Sequence, residues 1–150
     1  MASTKRIYLL TAGLLGLAAL AGCKKKEAST MGADSSAVVT VAPFRVQQID
    51  LGKAIMADKR VASSSDSFAR TDTIYASIVT EGTAPSKTLV ARWTFQDGQV
   101  VKEDTLTISP NGSAATEFHI TKPTGWPVGK YKVEILVDGA SVGTKDFEVK

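Results

Sequence analysis

The sequence predicts an all-β fold, a sandwich of two antiparallel sheets with about seven strands over residues 37–150. Three observations carry that reading. Apolar and polar residues alternate with period two in one segment after another, the pattern of half-buried strands. The pairs Asp97-Gly98, Asn111-Gly112 and Asp138-Gly139 separate those segments and tolerate the positive φ of tight hairpins. Pro85, Pro110, Pro123 and Pro127 also fall between segments, where a missing N–H interrupts no ladder.

Each element can be justified in order. Residues 37–41 and 46–51 are short apolar-rich runs separated by Pro43. Residues 51–60 carry the one helix-like spacing, Leu51, Ile55 and Met56, and are expected to form a connection of one or two turns at most. The serine-rich run 63–67 reads as a loop. In 73–81, Ile74, Ala76 and Ile78 share one face and Tyr75 lies on the other. Residues 88–96 put Leu89, Ala91, Trp93 and Phe95 on one face, and Val90, Arg92, Thr94 and Gln96 on the other. A short strand is expected over 104–109, with Leu106 and Ile108. In 115–121, Thr116, Phe118 and Ile120 oppose Glu117 and His119. In 130–138, Tyr131, Val133, Ile135 and Val137 alternate with Lys130, Lys132 and Glu134. The last strand covers 141–149, with Phe147 and Val149 inward. A jelly roll or an open barrel is the alternative to the two-sheet sandwich.

Two details narrow the architecture. Trp93 sits inward on the third main strand, where immunoglobulin-like domains keep a core tryptophan. Residues 129–133, GKYKV, resemble the tyrosine corner of those domains, with Tyr131 two positions before inward Val133 instead of a cysteine. Over residues 68–149 the chain also resembles a set of short bacterial secreted or lipoprotein sequences of unknown function. The shared elements lie at 68–77, 93–100, 118–134 and 136–149. This resemblance implies an immunoglobulin-like envelope domain in a Gram-negative bacterium, and it carries over no catalytic residue.

The N-terminus has its own organisation. Residues 1–6 hold Lys5 and Arg6 and no acid, and residues 7–20 are apolar apart from Thr11. A bilayer-spanning helix needs about 20 apolar residues, so this run fits a helical secretory signal instead. It ends in Leu20-Ala21-Gly22-Cys23, which resembles the lipobox of bacterial lipoproteins. In that family the signal, here residues 1–22, is removed, and the cysteine carries a diacylglycerol thioether and an N-acyl chain. The resemblance thus makes Cys23 a lipidation site and the membrane a partner. Each buried CH₂ contributes roughly 0.8 kcal/mol, and two chains suffice for stable anchoring. Residues 23–36 then read as the lipidated cysteine and a polar flexible tether of about 20 Å reach. Residue 24 is lysine rather than aspartate. In enteric lipoproteins that choice implies the outer membrane, facing the periplasm.

Charge and composition exclude several functions. The net charge of +3 falls to +1 without Lys5 and Arg6, and to −2 without Lys24, Lys25 and Lys26 as well. A domain that is not basic gives no electrostatic support to nucleic-acid binding. Cys23 is the only cysteine, so an internal disulfide cannot form and the domain must rest on its hydrophobic core.

No motif specifies catalysis or a cofactor beyond the covalent lipid. His119 is the only histidine and lies on a polar strand face beside Glu117. Asp66, Asp72, Asp97, Asp104 and Asp138 are scattered, without the loop spacing of a calcium site. The sequence has no G-x-S-x-G, S-x-x-K in its mature part, P-loop or G-x-G-x-x-G. The candidate contact residues are Trp126, in the loop 121–130, and Tyr75 on a strand's outer face. An exposed Trp126 would stack on a sugar or anchor a protein, whereas an inward one would plug the open end of the sandwich. The expectation is therefore a non-enzymatic, lipid-anchored envelope protein that binds or assembles with another envelope component. The alternative is a periplasm-facing inhibitor or glycan-binding module that works through the loop around Trp126.

Overall fold

The computed structural model describes residues 42–150, and each regular element in that range is a β-strand. The strands are β1 (Arg45–Gly52), β2 (Ser67–Phe68), β3 (Ile74–Glu81), β4 (Lys87–Phe95), β5 (Gln99–Ile108), β6 (Ala114–Ile120), β7 (Gly129–Val137) and β8 (Ala140–Val149). Cys23, the tether and the expected strand at 37–41 lie outside the described residues.

The strands form a small sheet, β1-β3-β6, and a large one, β2-β8-β7-β4-β5. Neighbours are antiparallel except β2, which runs parallel to β8. The result is an immunoglobulin-like sandwich in which β5 stays beside β4 instead of joining the small sheet.

The core is the sum of the inward alternations. Ile74, Ala76 and Ile78 on β3, Leu89, Ala91 and Trp93 on β4, and Val133 and Ile135 on β7 are all 0 % exposed. Burying such a side chain contributes about 1.5–3 kcal/mol. Tyr131 and Phe147 stack at 5.3 Å, and Phe68 and Trp93 meet the Phe147 ring edge-on at 5.5 and 6.0 Å. These offset and T-shaped arrangements are those that the ring quadrupoles favour.

Turn chemistry sets the register. Asp138 and Gly139 have φ of 50° and 83°, the pair of left-handed residues in a type I′ hairpin. Asp138 also ties the turn to β4. Its Oδ1 accepts the Thr88 N–H at 2.9 Å and its Oδ2 accepts Lys87 Nζ at 2.7 Å. These bonds, Lys87 first, hold the carboxyl below its ordinary pKa.

Three segments differ from the expectation. Residues 51–60 are not helical. Leu51 continues the inward alternation of Ile49, and the chain then doubles back, with Met56 N bonded to Arg60 O at 2.8 Å and Ala62 N to Ala54 O at 2.9 Å. Gly52 permits this return, because a Cβ there would lie 2.7 Å from the Ser63 carbonyl oxygen. The serine run ends in the short strand β2, whose Phe68 is buried. Finally, β5 begins at Gln99 rather than 104. Its first half is exposed, so pairing with β4, not burial, extends it past an irregularity at Trp93/Thr94.

Candidate binding surface

Trp126 lies in the connection between β6 and β7 and is only 5 % exposed. Its indole N–H donates to the Asp72 carbonyl at 3.1 Å, and its ring meets Tyr131 edge-on at 6.2 Å. The backbone is fastened as well. Trp126 N–H donates to the Arg70 carbonyl at 2.7 Å, and Arg70 Nε donates to the Trp126 carbonyl at 3.0 Å. Trp126 thus pins residues 70–72 to the loop ahead of β7 and closes that end of the sandwich. Of the two orientations open to Trp126 this is the inward one, the plug at the open end of the sandwich, and a buried ring presents no face to a sugar. Glycine and proline neighbours mark a loop, but they do not reveal which way its tryptophan turns.

Asp72 supports the same closure from outside. Its carboxylate takes Lys53 Nζ at 2.8 Å and the Ala69 N–H at 2.8 Å. Those bonds, Lys53 first, hold its pKa below the ordinary value.

Tyr75 is half-buried on the outer face of the small sheet, with its ring 5.4 Å from that of His119. His119 Nδ1 lies 3.3 Å from Glu117 Oε2, on the polar face that the alternation assigned to both. Among the described residues no group of three His, Cys, Asp or Glu side chains could hold a metal ion.

The surface that sequence reasoning missed is the free edge of the large sheet. Among the described residues β5 pairs only with β4, so one side of its ten-residue backbone has no strand partner there. Val100, Val101 and Leu106 on this strand are 54 %, 41 % and 42 % exposed. A seam of about 230 Å³ runs beside it toward β6, lined by Lys102, Asp104, Leu106, Glu117, Phe118 and His119. Lys102 crosses the seam and donates to the His119 carbonyl at 3.2 Å, while pairing with Asp104 at 3.0 Å.

An edge of this kind is a template for another strand, and charges are the usual guard against indiscriminate pairing. Lys102, Glu103 and Asp104 occupy the middle of β5, but each is compensated within the fold. Aliphatic contacts flank that neutralised centre. The signal was weak because residues 99–103 bury little and show no alternation toward the core.

No protein-family model and no curated protein matches this chain. Among solved structures the chain is similar to an immunoglobulin-like protein from Pseudomonas aeruginosa, at 13 % identity over 74 % of this chain and 99 % of that one, with a TM-score of 0.49. It is also similar to a CARDB domain from Pyrococcus furiosus, solved in complex with di-metal ions, at 15 % identity over 73 % of this chain and 93 % of that one, with a TM-score of 0.43. A third similarity is to an alkylpurine DNA glycosylase from Pseudomonas fluorescens, at 18 % identity over 71 % of this chain and a TM-score of 0.46. The chain spans 30 % of that glycosylase's length.

Proposed function

We propose that this chain is a lipid-anchored envelope protein, held by acylated Cys23, whose sandwich binds another envelope component without catalysing a reaction. The observation that carries the binding half of this reading is the open edge of β5 with its three exposed aliphatic side chains. An extended segment of a partner would add to that edge through backbone hydrogen bonds, with side chains entering the seam toward β6. The anchor half rests on the lipobox at residues 20–23, and Lys24 in place of aspartate supports the outer membrane with the domain facing the periplasm. The alternative, glycan or hydrolase recognition through loop 121–130, loses its aromatic anchor because Trp126 faces inward.

The test joins two measurements on the full chain expressed in a Gram-negative host. Intact mass of the mature product and membrane fractionation report the anchor. The expected product begins at an acylated Cys23, sediments with membranes, and becomes soluble or uncleaved as Cys23→Ser. A Cys23→Ser product cleaved to the parent's mature length that still sediments overturns the anchor. Affinity isolation from detergent-solubilised envelope reports the edge. A stoichiometric partner is expected that is reduced about tenfold by Val101→Lys with Leu106→Lys. Full recovery with that double variant overturns the edge.

A further inference from the structure

The two sheets carry the same kind of cross-strand row, filled differently at its centre. In the large sheet the row reads Glu103 on β5, Arg92 on β4 and Glu134 on β7. Arg92 bridges both carboxylates, with Nε 2.7 Å from Glu103 and Nη1 3.3 Å from Glu134. In the small sheet the row reads Asp50 on β1, Ser77 on β3 and Glu117 on β6. Its central residue is a serine.

Ser77 belongs to the outer face, because Ala76 and Ile78 on either side point into the core at 0 % exposure. Its hydroxyl is nonetheless covered, at 1 % exposure for the residue, and it has no hydrogen-bond partner. Buried polar groups are almost always satisfied, so an exception calls for a cause. The flanking carboxylates are exceptional too. Strand-borne Glu81, Glu103, Asp104, Glu134, Asp146 and Glu148 each pair with a lysine or arginine. Asp50 and Glu117 do not, among the described residues. Asp50 takes only the Gln48 amide and Glu117 only the His119 ring.

We infer that the row Asp50–Ser77–Glu117 receives an arginine side chain from a partner protein. Adjacent strands lie about 4.8 Å apart, so the outer two carboxylates stand across the span that Arg92 bridges in the other sheet. A guanidinium suits this row better than an ammonium. Its planar fork carries donors on opposite sides, one set for each carboxylate, and an inner N–H for the serine oxygen. Tyr75, one row along β3, supplies an aromatic face beside it. A second copy of the domain is a poor donor. The arginines of the described residues, Arg45, Arg60, Arg70 and Arg92, are engaged with Glu81, Asp58, the Trp126 carbonyl, and Glu103 with Glu134. This contact shares Glu117 with the seam beside β5 but uses neither the β5 backbone nor Val101, and Asp50 lies outside that seam, so Asp50→Asn probes the row apart from the edge.

The test is an NMR titration of the full chain in detergent with the blocked tripeptide acetyl-Gly-Arg-Gly-amide. The expected result is saturable movement of the Asp50, Ser77 and Glu117 amide signals. Asp50→Asn with Glu117→Gln should weaken it at least about fivefold, while Glu103→Gln on the other row leaves it intact. The citrulline analogue, which keeps the shape without the charge, should produce no such movement. Silence at those three amides, or equal movement with citrulline or with the double variant, overturns the proposal. Replacing Lys24, Lys25 and Lys26 by alanine should leave the affinity unchanged. Tightening by about fivefold or more would mean that the chain's own lysines occupy the row, which overturns the assignment to a partner.

Discussion

The phenol of Tyr131 donates a hydrogen bond to the carbonyl of Pro127, 2.9 Å away and four residues earlier in the chain. The bond turns the loop that carries Trp126 into the start of β7. Burial raises the Tyr131 pKa above its ordinary value. Tyr131 therefore serves two neighbours at once, stacking on Phe147 while its hydroxyl holds the corner.

These two roles separate by substitution. Tyr131→Phe keeps the stack and loses the hydrogen bond, at a cost of about 1–1.5 kcal/mol. Tyr131→Ala also removes the ring, at a cost of about 3–5 kcal/mol. Urea unfolding of both variants against the parent chain checks the ratio. Equal losses would mean that the hydroxyl and not the ring carries the corner.

Trp126→Ala opens the end of the sandwich and should lower stability by about 3–5 kcal/mol. Its local signature is more specific than the total. The amide of Trp126, bonded to the Arg70 carbonyl at 2.7 Å, should exchange faster with solvent, while the amides of β4 keep their protection relative to global stability. Hydrogen exchange resolves the two.

Acid should weaken both ends of the sandwich, because Asp72 lies beside Trp126 and Asp138 follows the far end of β7. Asp72 and Asp138 both have lowered pKa values, through Lys53 with the Ala69 N–H and through Lys87 with the Thr88 N–H. A carboxyl held below its unfolded value contributes stability above that unfolded value, about 3.9. It loses the contribution as pH falls through the lowered folded value. Both groups are largely solvated, so screening keeps each effect small. Lys53→Ala should move the Asp72 titration, followed by NMR, upward toward the ordinary carboxylate value and leave Asp138 unmoved.

Gly82 and Gly98 have similar backbone angles, φ of 92° and 96°, but different surroundings. A Cβ on Gly82 would fall 2.3 Å from the Pro43 carbonyl oxygen, whereas one on Gly98 meets nothing within 4 Å. Gly98→Ala should therefore cost only the left-handed strain, about 1–2 kcal/mol. Gly82→Ala adds overpacking against backbone, for a total of about 3 kcal/mol or more. Thermal unfolding of the pair tests whether the 42–43 segment is held against β3.

Local alternation was enough to identify most strands and to turn Trp93, Tyr131 and Phe147 inward, because a side chain's face follows from its parity along its own strand. Turn chemistry located the hairpin at Asp138-Gly139 for a similar reason, since positive φ is a property of single residues. Neither argument reaches across the molecule. The inward turn of Trp126 depends on carbonyls of Arg70 and Asp72, far away in sequence, and the exposed half of β5 is a strand only because β4 lies beside it. The juxtaposition of Asp50, Ser77 and Glu117 likewise exists only in the register of three strands. Sequence by itself determined which face most of the strands bury. Tertiary structure alone decided which edges stayed open and which charges met, because strand pairing joins residues whose separation along the chain encodes nothing about their neighbours.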